Sequence, residues 1–220
     1  MDSPSSLASE LANLKAGSKA RASPERFAMV EAAIARLKDE DGIESRARRA
    51  GDMAPDVALP DIGGRRVHLN DLWRAGPLVL VFYRGAWCPY CNLQLRAWQR
   101  ELGELRRHGG SLAAISPQTP DHSMTTAQKN ALGFTVLSDT SLEAAEAYGV
   151  AFTLPPELID LYGRLGNDLP VVNGNGRWAL PITASYLISS DGRITYAHID
   201  ADYRERADPR DILLKLASAS

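Results

Sequence analysis

Cys88 and Cys91 are the only thiols of this 220-residue chain, and they lie three positions apart in the stretch VLVFYRGAWCPYCNLQL, residues 79–95. Such a C-x-x-C spacing fits three arrangements: a redox pair, half of a metal site, or two inert side chains of a hydrophobic core. Two sulfurs at this spacing can close a disulfide with little backbone movement. They then supply both a nucleophile and the thiol that resolves its oxidised form. We therefore predict that the pair carries out redox chemistry.

The residues around the pair predict that it lies between a buried strand and a helix. The preceding run PLVLVFY is continuously apolar, as in a strand covered on both faces. Apolar residues at helical spacing follow the pair: Leu95, Trp98, Leu102 and Leu105. The first N–H groups of a helix have no partners within it and favour negative charge. Lowering a thiol pKa from about 8.5 to about 6.5 would raise the thiolate fraction at pH 7 from roughly 3% to roughly 75%, and the thiolate is the reactive form.

Arg84 is the residue that we expect to activate the sulfurs. It precedes Gly85, so the segment can bring both a positive charge and open backbone N–H groups to the pair. The alternative for Arg84 is a surface salt bridge. Trp87, directly before the first cysteine, is expected to shield one side of the site.

A metal centre is a weaker interpretation of the cysteines, since a structural zinc site needs about four ligands and this motif supplies two. The four histidines lie in different segments without paired spacing: His68, His108, His122 and His198. The sequence therefore predicts no metal and no organic cofactor.

Composition excludes several other classes of function. The net charge of −2 and the pI of about 6.1 do not suggest a nucleic-acid-binding surface, and the basic cluster RARR at 46–49 is short and flanked by acidic residues. The N-terminus lacks the pattern of a secretory signal, and no apolar run has the length of a membrane span. We therefore expect a cytoplasmic protein, in which a close cysteine pair is rarely a structural staple.

Two regions are predicted along the chain. Residues 1–50 form a helical extension, in which Ser23 and Pro24 cap a helix with an apolar stripe at Phe27, Val30, Ile34 and Leu37. That stripe requires a partner, either the body of the same chain or a second subunit. Residues 51–220 alternate strands with helices, which predicts an α/β sheet with helices on both faces.

Several local signals refine the second region. SLAAIS and FTVLSD are predicted strands, ASYLISSDGRITYAHI two strands joined by a turn at Asp191-Gly192, and DPRDILLKLAS a closing helix. We predict a further helix over 121–133, and a capping box of Thr140 and Glu143 that opens the next one. The Pro- and Gly-rich insert at 152–181, with one short helical piece, is expected to shape access to the sulfurs.

These motifs together resemble a known family. The stretches APDVALPDIGGRRVHLNDLW, GPLVLVFYRGAWCPYCNLQLRAWQ, SLAAISPQTPDH, FTVLSD and ASYLISSDGRI look like the peroxiredoxin-like (alkyl hydroperoxide reductase/thiol-specific antioxidant) branch of the thioredoxin fold, over about residues 51–200. The resemblance implies a thioredoxin-like fold, a central mixed sheet with helices on both faces. It also implies thiol-dependent reduction of hydrogen peroxide or organic hydroperoxides, with thioredoxin or a glutathione-type reductant as partner.

The chain departs from the pattern of that family at several positions. The family motif is a Pro, then a Thr or Ser, then the attacking Cys. When this chain is aligned with the motif, Cys91 takes the attacking position, Cys88 the Thr position and Arg84 the Pro position. The family also uses an arginine just before the strand SYLIS. Thr183 occupies that place here, and the nearest arginine before it is Arg177.

Three functions remain open on these residues. In a peroxidase, Cys91 attacks the peroxide and Cys88 then forms a Cys88–Cys91 disulfide. In a thioredoxin- or glutaredoxin-like oxidoreductase, Cys88 attacks a substrate disulfide as the more exposed thiol, and Cys91 resolves the mixed disulfide. The tetrapeptide CPYC, which is also that of glutaredoxins, points to this second function. In a redox sensor, the disulfide signals through the helical extension without turnover. A homodimer, through the extension or a sheet edge, is the expected assembly.

Overall fold

The structure is a computed structural model and describes residues 6–219. Its helices are α1 (Leu7–Arg21), α2 (Pro24–Asp39), α3 (Ile43–Arg46), α4 (Leu69–Arg74), α5 (Pro89–Arg107), α6 (Pro120–Lys129), α7 (Glu143–Ala147), α8 (Pro156–Arg164), α9 (Leu169–Val172) and α10 (Pro209–Ala219). Its strands are β1 (Ala58–Pro60), β2 (Arg66–His68), β3 (Leu78–Phe82), β4 (Ser111–Ser116), β5 (Thr135–Ser138), β6 (Ala151–Thr153), β7 (Ala179–Pro181), β8 (Thr183–Ile188) and β9 (Ile194–Asp200). None of the helices within the described residues has both the length and the apolar character needed to cross a bilayer.

A five-stranded mixed sheet in the order β5-β4-β3-β8-β9 forms the centre of the molecule. Strand β3 pairs in parallel with β4 and antiparallel with β8, and all five of its residues are buried. Its sequence is continuously apolar because helices cover both faces of the sheet at this strand. The predicted α/β fold with a central mixed sheet is confirmed. The predicted turn at Asp191-Gly192 also joins β8 to β9 as expected.

The N-terminal helices pack against the same chain. Ser23 caps α2 by accepting a hydrogen bond from the Arg26 amide, as predicted. The stripe residues Ile34 and Leu37 are buried, and Ala33 beside them packs with α8. This apolar face therefore meets the body of the chain, which was one of its two predicted partners. The proposed boundary at residue 50 stays a prediction.

The insert at 152–181 contains more regular structure than its sequence suggested. In place of one short helical piece it holds the helices α8 and α9 between the paired strands β6 and β7. Its many Pro and Gly residues lie at the ends of these elements, where they begin helices and allow the left-handed turns at Gly166, Gly174 and Gly176.

The predicted capping box of Thr140 and Glu143 is wrong. Helix α7 begins at Glu143 after Leu142, which has a φ of 65° and provides no side-chain cap. The carboxylate of Asp139 instead accepts hydrogen bonds from the amides of Ala144, at 3.2 Å, and Ala145, at 2.9 Å. Asp139 reaches them because the left-handed turn brings the end of β5 against the first turn of the helix. Burial raises the pKa of Asp139 to about 6 despite these bonds.

We expect Asp139→Ala to lower the free energy of unfolding by about 1–3 kcal/mol, because two buried amides lose their acceptor. Thr140→Ala, the matched control, should change it by less than about 0.5 kcal/mol. Urea unfolding of both variants at pH 7 measures the difference. Equal losses in the two variants would contradict this assignment of the cap.

Candidate redox site

The cysteine pair lies where strand β3 leads into helix α5, as predicted. Cys88 is the residue that caps α5, Pro89 is its first residue and Cys91 its third. Both thiols are free and buried, with exposed fractions of 1% for Cys88 and 0% for Cys91. Cys88 was expected to be the more exposed thiol, but the difference between the two is only one percentage point and both are buried.

The sulfur of Cys91 is surrounded by groups that favour its negative form. The backbone N–H of Arg84 points to it at 3.4 Å, and Nη2 of Arg206 lies 3.5 Å away. Burial by itself raises the pKa of Cys91. The hydrogen bond from the Cys88 thiol and the charges of Arg206 and Arg84 outweigh burial and hold the pKa of Cys91 well below its ordinary value. The surroundings of Cys91 therefore favour its thiolate form.

The thiol of Cys88 is held in the opposite state. Burial is the largest cause that raises its pKa well above the ordinary value, and the hydrogen bond to Cys91 and the negative charge of that sulfur add to it. The two pKa values are thus shifted apart, so that ionisation of the pair favours Cys91 and Cys88 is favoured as the hydrogen-bond donor.

Arg206 is the site residue that the sequence did not reveal. It lies in the Arg206 loop, residues 201–208, between β9 and α10. Besides Cys91, its guanidinium donates hydrogen bonds to Oε1 of Gln94, at 3.1 Å, and to the carbonyl of Tyr203, at 2.5 Å. Nothing in the polar stretch DYRERADPRD distinguishes it from Arg204 or Arg210, because only packing decides which arginine reaches the sulfur.

The family places an arginine just before the strand SYLIS, and Arg177 and Thr183 were the two positions considered for it. Neither brings an arginine to the sulfurs. Arg177 lies at the surface, where it pairs with Glu146 and bonds the carbonyl of Ser141. Thr183 donates its hydroxyl to the carbonyl of Asp200 in the neighbouring strand. A cation reaches the sulfur from a loop further along the chain.

Ion pairs from the N-terminal helices fix the Arg206 loop. Arg204 binds Asp202 at 2.7 Å and also pairs with Glu31 of α2. Lys15 of α1 pairs with Glu205 at 2.9 Å. Burial raises the pKa of Asp202, but its hydrogen bonds from Arg204 lower it below the ordinary value. The helical extension therefore holds the loop that places Arg206 beside the sulfur.

Arg84 lies inside the protein, with an exposed fraction of 3%. Its guanidinium carbon is 4.1 Å from the ring centre of Tyr203, 4.9 Å from Trp87 and 5.4 Å from Tyr162. Such contacts with aromatic faces stabilise a cation. The surface salt bridge is wrong for Arg84, since no carboxylate within residues 6–219 pairs with it.

Gly85 makes the tight approach of the loop possible. Its φ is 143°, and a Cβ at this position would lie 2.5 Å from Nε1 of Trp87. The amide of Ala86 donates to Oε1 of Gln118 at 2.8 Å, and its carbonyl accepts from Asn92 at 2.7 Å. These bonds hold the loop in the conformation that aims the Arg84 amide at Cys91.

An apolar layer covers the sulfurs on two sides. Leu7 and Leu11 of α1 belong to the same buried cluster as Cys88, Cys91 and Tyr90. On the other side, Trp87 packs edge-to-face on Tyr162 of the insert with ring centres 5.3 Å apart. In the part of the chain that the structure describes, no three His, Cys, Asp or Glu side chains are grouped to hold a metal.

Comparisons with known proteins agree with this architecture. The sequence profile of the AhpC/TSA family matches residues 50–197. Peroxiredoxin Bcp of Escherichia coli (strain K12) is 38% identical over 103 residues, which are 46% of this chain and 65% of that protein. The chain thus spans just under two thirds of the length of that relative. Thiol-disulfide oxidoreductase ResA of Halalkalibacterium halodurans is 25% identical over 118 residues, 53% of this chain and 66% of that protein.

Solved structures show the same fold at low sequence identity. Peroxidoxin BcpB from Mycobacterium tuberculosis superposes with a TM-score of 0.60 at 21% identity, covering 78% of this chain and 97% of that one. Reduced Prx3 from Vibrio vulnificus, solved in complex with hydrogen peroxide, superposes with a TM-score of 0.62 at 16% identity, covering 77% of this chain and 99% of that one.

Proposed function

Because this chain belongs to the AhpC/TSA family, we propose that it is a thiol-dependent peroxidase for hydrogen peroxide or organic hydroperoxides. The observation that carries the proposal is the set of donors around the buried sulfur of Cys91: the Arg84 amide at 3.4 Å and Nη2 of Arg206 at 3.5 Å. These groups lower the pKa of Cys91, whereas burial raises that of Cys88. Cys91 is then the attacking residue, Cys88 the resolving residue, and Arg84 and Arg206 the activating cations.

The first step oxidises Cys91. Its thiolate attacks one peroxide oxygen, the O–O bond breaks, and the other oxygen leaves with the electron pair and takes up a proton as water or an alcohol. Cys91 becomes a sulfenic acid. Negative charge moves from sulfur to the leaving oxygen during this step, and the guanidinium groups of Arg206 and Arg84 stabilise it there.

The second step joins the two sulfurs. Once Cys91 is a neutral sulfenic acid, its negative charge no longer raises the pKa of Cys88, although burial still does. The two arginines continue to lower that pKa, so oxidation of Cys91 favours ionisation of Cys88. The Cys88 sulfur then attacks the Cys91 sulfur, an S–S bond forms, and the hydroxyl group leaves as water with the proton of Cys88.

An external dithiol completes the cycle by thiol–disulfide exchange, and we propose thioredoxin or a glutathione-type reductant for this role. A cytoplasmic location fits, since that compartment keeps both thiols reduced between turnovers. The covering layer formed by α1 and by the insert controls how the reductant reaches the disulfide. No nucleic acid, membrane, metal or organic cofactor is required by this cycle.

A second candidate is a thiol–disulfide oxidoreductase, which the similarity to ResA favours. That function requires Cys88 to attack a disulfide of another protein. The burial of Cys88 and its raised pKa oppose it, because a thiol that attacks a disulfide of another protein must reach that protein and must ionise, whereas a peroxide is small enough to enter a buried site.

Steady-state turnover separates the candidates. The full chain is supplied with dithiothreitol, thioredoxin with its reductase, or glutathione, and with either hydrogen peroxide or an insulin disulfide as oxidant. We expect many turnovers of peroxide and slow reduction of insulin. Consumption of one equivalent of peroxide with every reductant would indicate a sensor, and faster turnover of insulin than of peroxide would indicate an oxidoreductase.

A further inference from the structure

An apolar cavity of about 80 Å³ lies beside the redox site, between the helical extension and the insert. Helix α2 lines one wall with Val30, Ala33 and Ile34, and helix α8 lines the other with Leu158 and Leu161. Tyr203 and Arg84, whose charge acts on both cysteines, also line the cavity. The cavity thus combines hydrophobic walls with one buried cation.

The guanidinium of Arg84 has no hydrogen-bond acceptor or ion-pair partner among residues 6–219. Three aromatic faces contact it, but they leave its N–H donors unpaired. A buried charge without a hydrogen-bonded partner is costly, and proteins normally supply one. The side chain therefore lacks a partner of the type that guanidinium groups bind best, a planar oxyanion.

The charges around the sulfurs leave one positive charge in excess. Arg206 already donates to Cys91, so a single thiolate faces two guanidinium groups. The nearby cation Arg204 is paired with Asp202 and Glu31, and Lys15 is paired with Glu205. The excess charge belongs to Arg84, on the wall of the cavity.

We propose that this cavity is a binding site for an apolar monocarboxylate, with its carboxylate on the guanidinium of Arg84 and its hydrocarbon chain between α2 and α8. The cavity has about half the volume of the 150 Å³ that holds the six carbon atoms of benzene in an engineered protein, so it encloses roughly three carbon atoms, and the rest of a longer chain would lie at its edge beside the exposed Arg26 and Leu165. Binding at this site can be tested whether or not the chain is a peroxidase, since binding requires no redox step.

Occupancy has a consequence for the neighbouring thiolate. A carboxylate on Arg84 offsets one of the two positive charges that stabilise Cys91. The ligand should therefore slow alkylation of Cys91 by iodoacetamide at neutral pH. This provides a second readout that uses neither peroxide nor a reductant.

Calorimetric titration of the reduced full chain with hexanoate tests the site, and hexanol is the uncharged control. We expect one hexanoate to bind per chain. Hexanol should bind more weakly than hexanoate by about tenfold or more. Ala33→Leu should prevent binding by filling the cavity, whereas Ala32→Leu, the same change on the exposed face of α2, should not. Absence of hexanoate binding, equal binding of hexanol, or normal binding by Ala33→Leu would each overturn the proposal.

Two further substitutions identify the anchor. Arg26 is an exposed residue at the cavity and is the alternative cation. We expect Arg84→Met to weaken hexanoate binding by about tenfold or more and Arg26→Met to leave it intact; the reverse result overturns the assignment. If Ala33→Leu fails the thermal unfolding check, Leu161→Asp replaces it, because this half-buried position tolerates a carboxylate that repels the ligand. Normal hexanoate binding by Leu161→Asp would count against the site.

Discussion

Replacement of Cys91 by serine is expected to abolish the rapid reaction of the reduced protein with hydrogen peroxide, lowering its rate constant by at least ~10³-fold. The physical reason is that the Cys88 thiol and two guanidinium groups favour the ionised form of Cys91 and outweigh burial, which opposes it. Cys88→Ser should keep the rapid first oxidation, since serine retains the hydroxyl donor that replaces the thiol of Cys88.

Stopped-flow mixing of wild type, Cys88→Ser and Cys91→Ser with peroxide measures this difference, and dimedone trapping followed by mass spectrometry locates the sulfenic acid. We expect the adduct on Cys91 in Cys88→Ser, and a Cys88–Cys91 disulfide in the wild type. Rapid reaction of Cys91→Ser with loss of reaction in Cys88→Ser would reverse the roles of the two sulfurs. Reaction of all three proteins at the rate of free cysteine would exclude the peroxidase.

Replacement of Arg206 by methionine is expected to slow oxidation of Cys91 by about 10²-fold at pH 7. Nη2 of Arg206 lies 3.5 Å from the sulfur, and its charge is one of the causes that lower the pKa of Cys91. Without that charge the pKa rises, so less thiolate is present at neutral pH. The developing charge on the leaving oxygen also loses a stabilising cation.

The pH dependence distinguishes this role from a merely structural one. In the wild type the pKa of Cys91 is well below its ordinary value, so the rate should change little around neutral pH. In Arg206→Met the rate should increase as the pH rises toward about 8.5, the ordinary thiol value, and the gap between the two proteins should narrow. Arg206→Lys, which keeps the charge, should recover part of the rate.

Arg177→Met is the matched control for Arg206→Met. It removes an arginine from the surface that contacts Glu146 rather than the sulfurs. Its oxidation rate and pH profile should equal those of the wild type. A loss of rate in Arg206→Met that is the same at every pH would show that the residue acts through folding alone.

The local features of the site could be predicted from the sequence because they depend on neighbouring residues. The continuous apolar run before the cysteines and the helical spacing after them place Cys88 and Cys91 at a strand-to-helix junction. The order of strands and helices indicates the α/β fold for the same reason. The prediction of a capping box at the start of α7 is wrong because Leu142 adopts a left-handed conformation that brings Asp139, rather than Thr140, to the helix end.

The charge state of the pair depends instead on contacts between distant parts of the chain. Arg206 follows Cys91 by 115 residues, and the ion pairs that fix its loop come from Lys15 and Glu31 near the other end of the chain. The sequence by itself determined the redox pair, its junction and its family. Only the tertiary structure decided that the surroundings of Cys91 favour its ionised form, that Arg206 lies beside its sulfur and that Arg84 is buried, because electrostatic energies depend on distance and burial rather than on order along the chain.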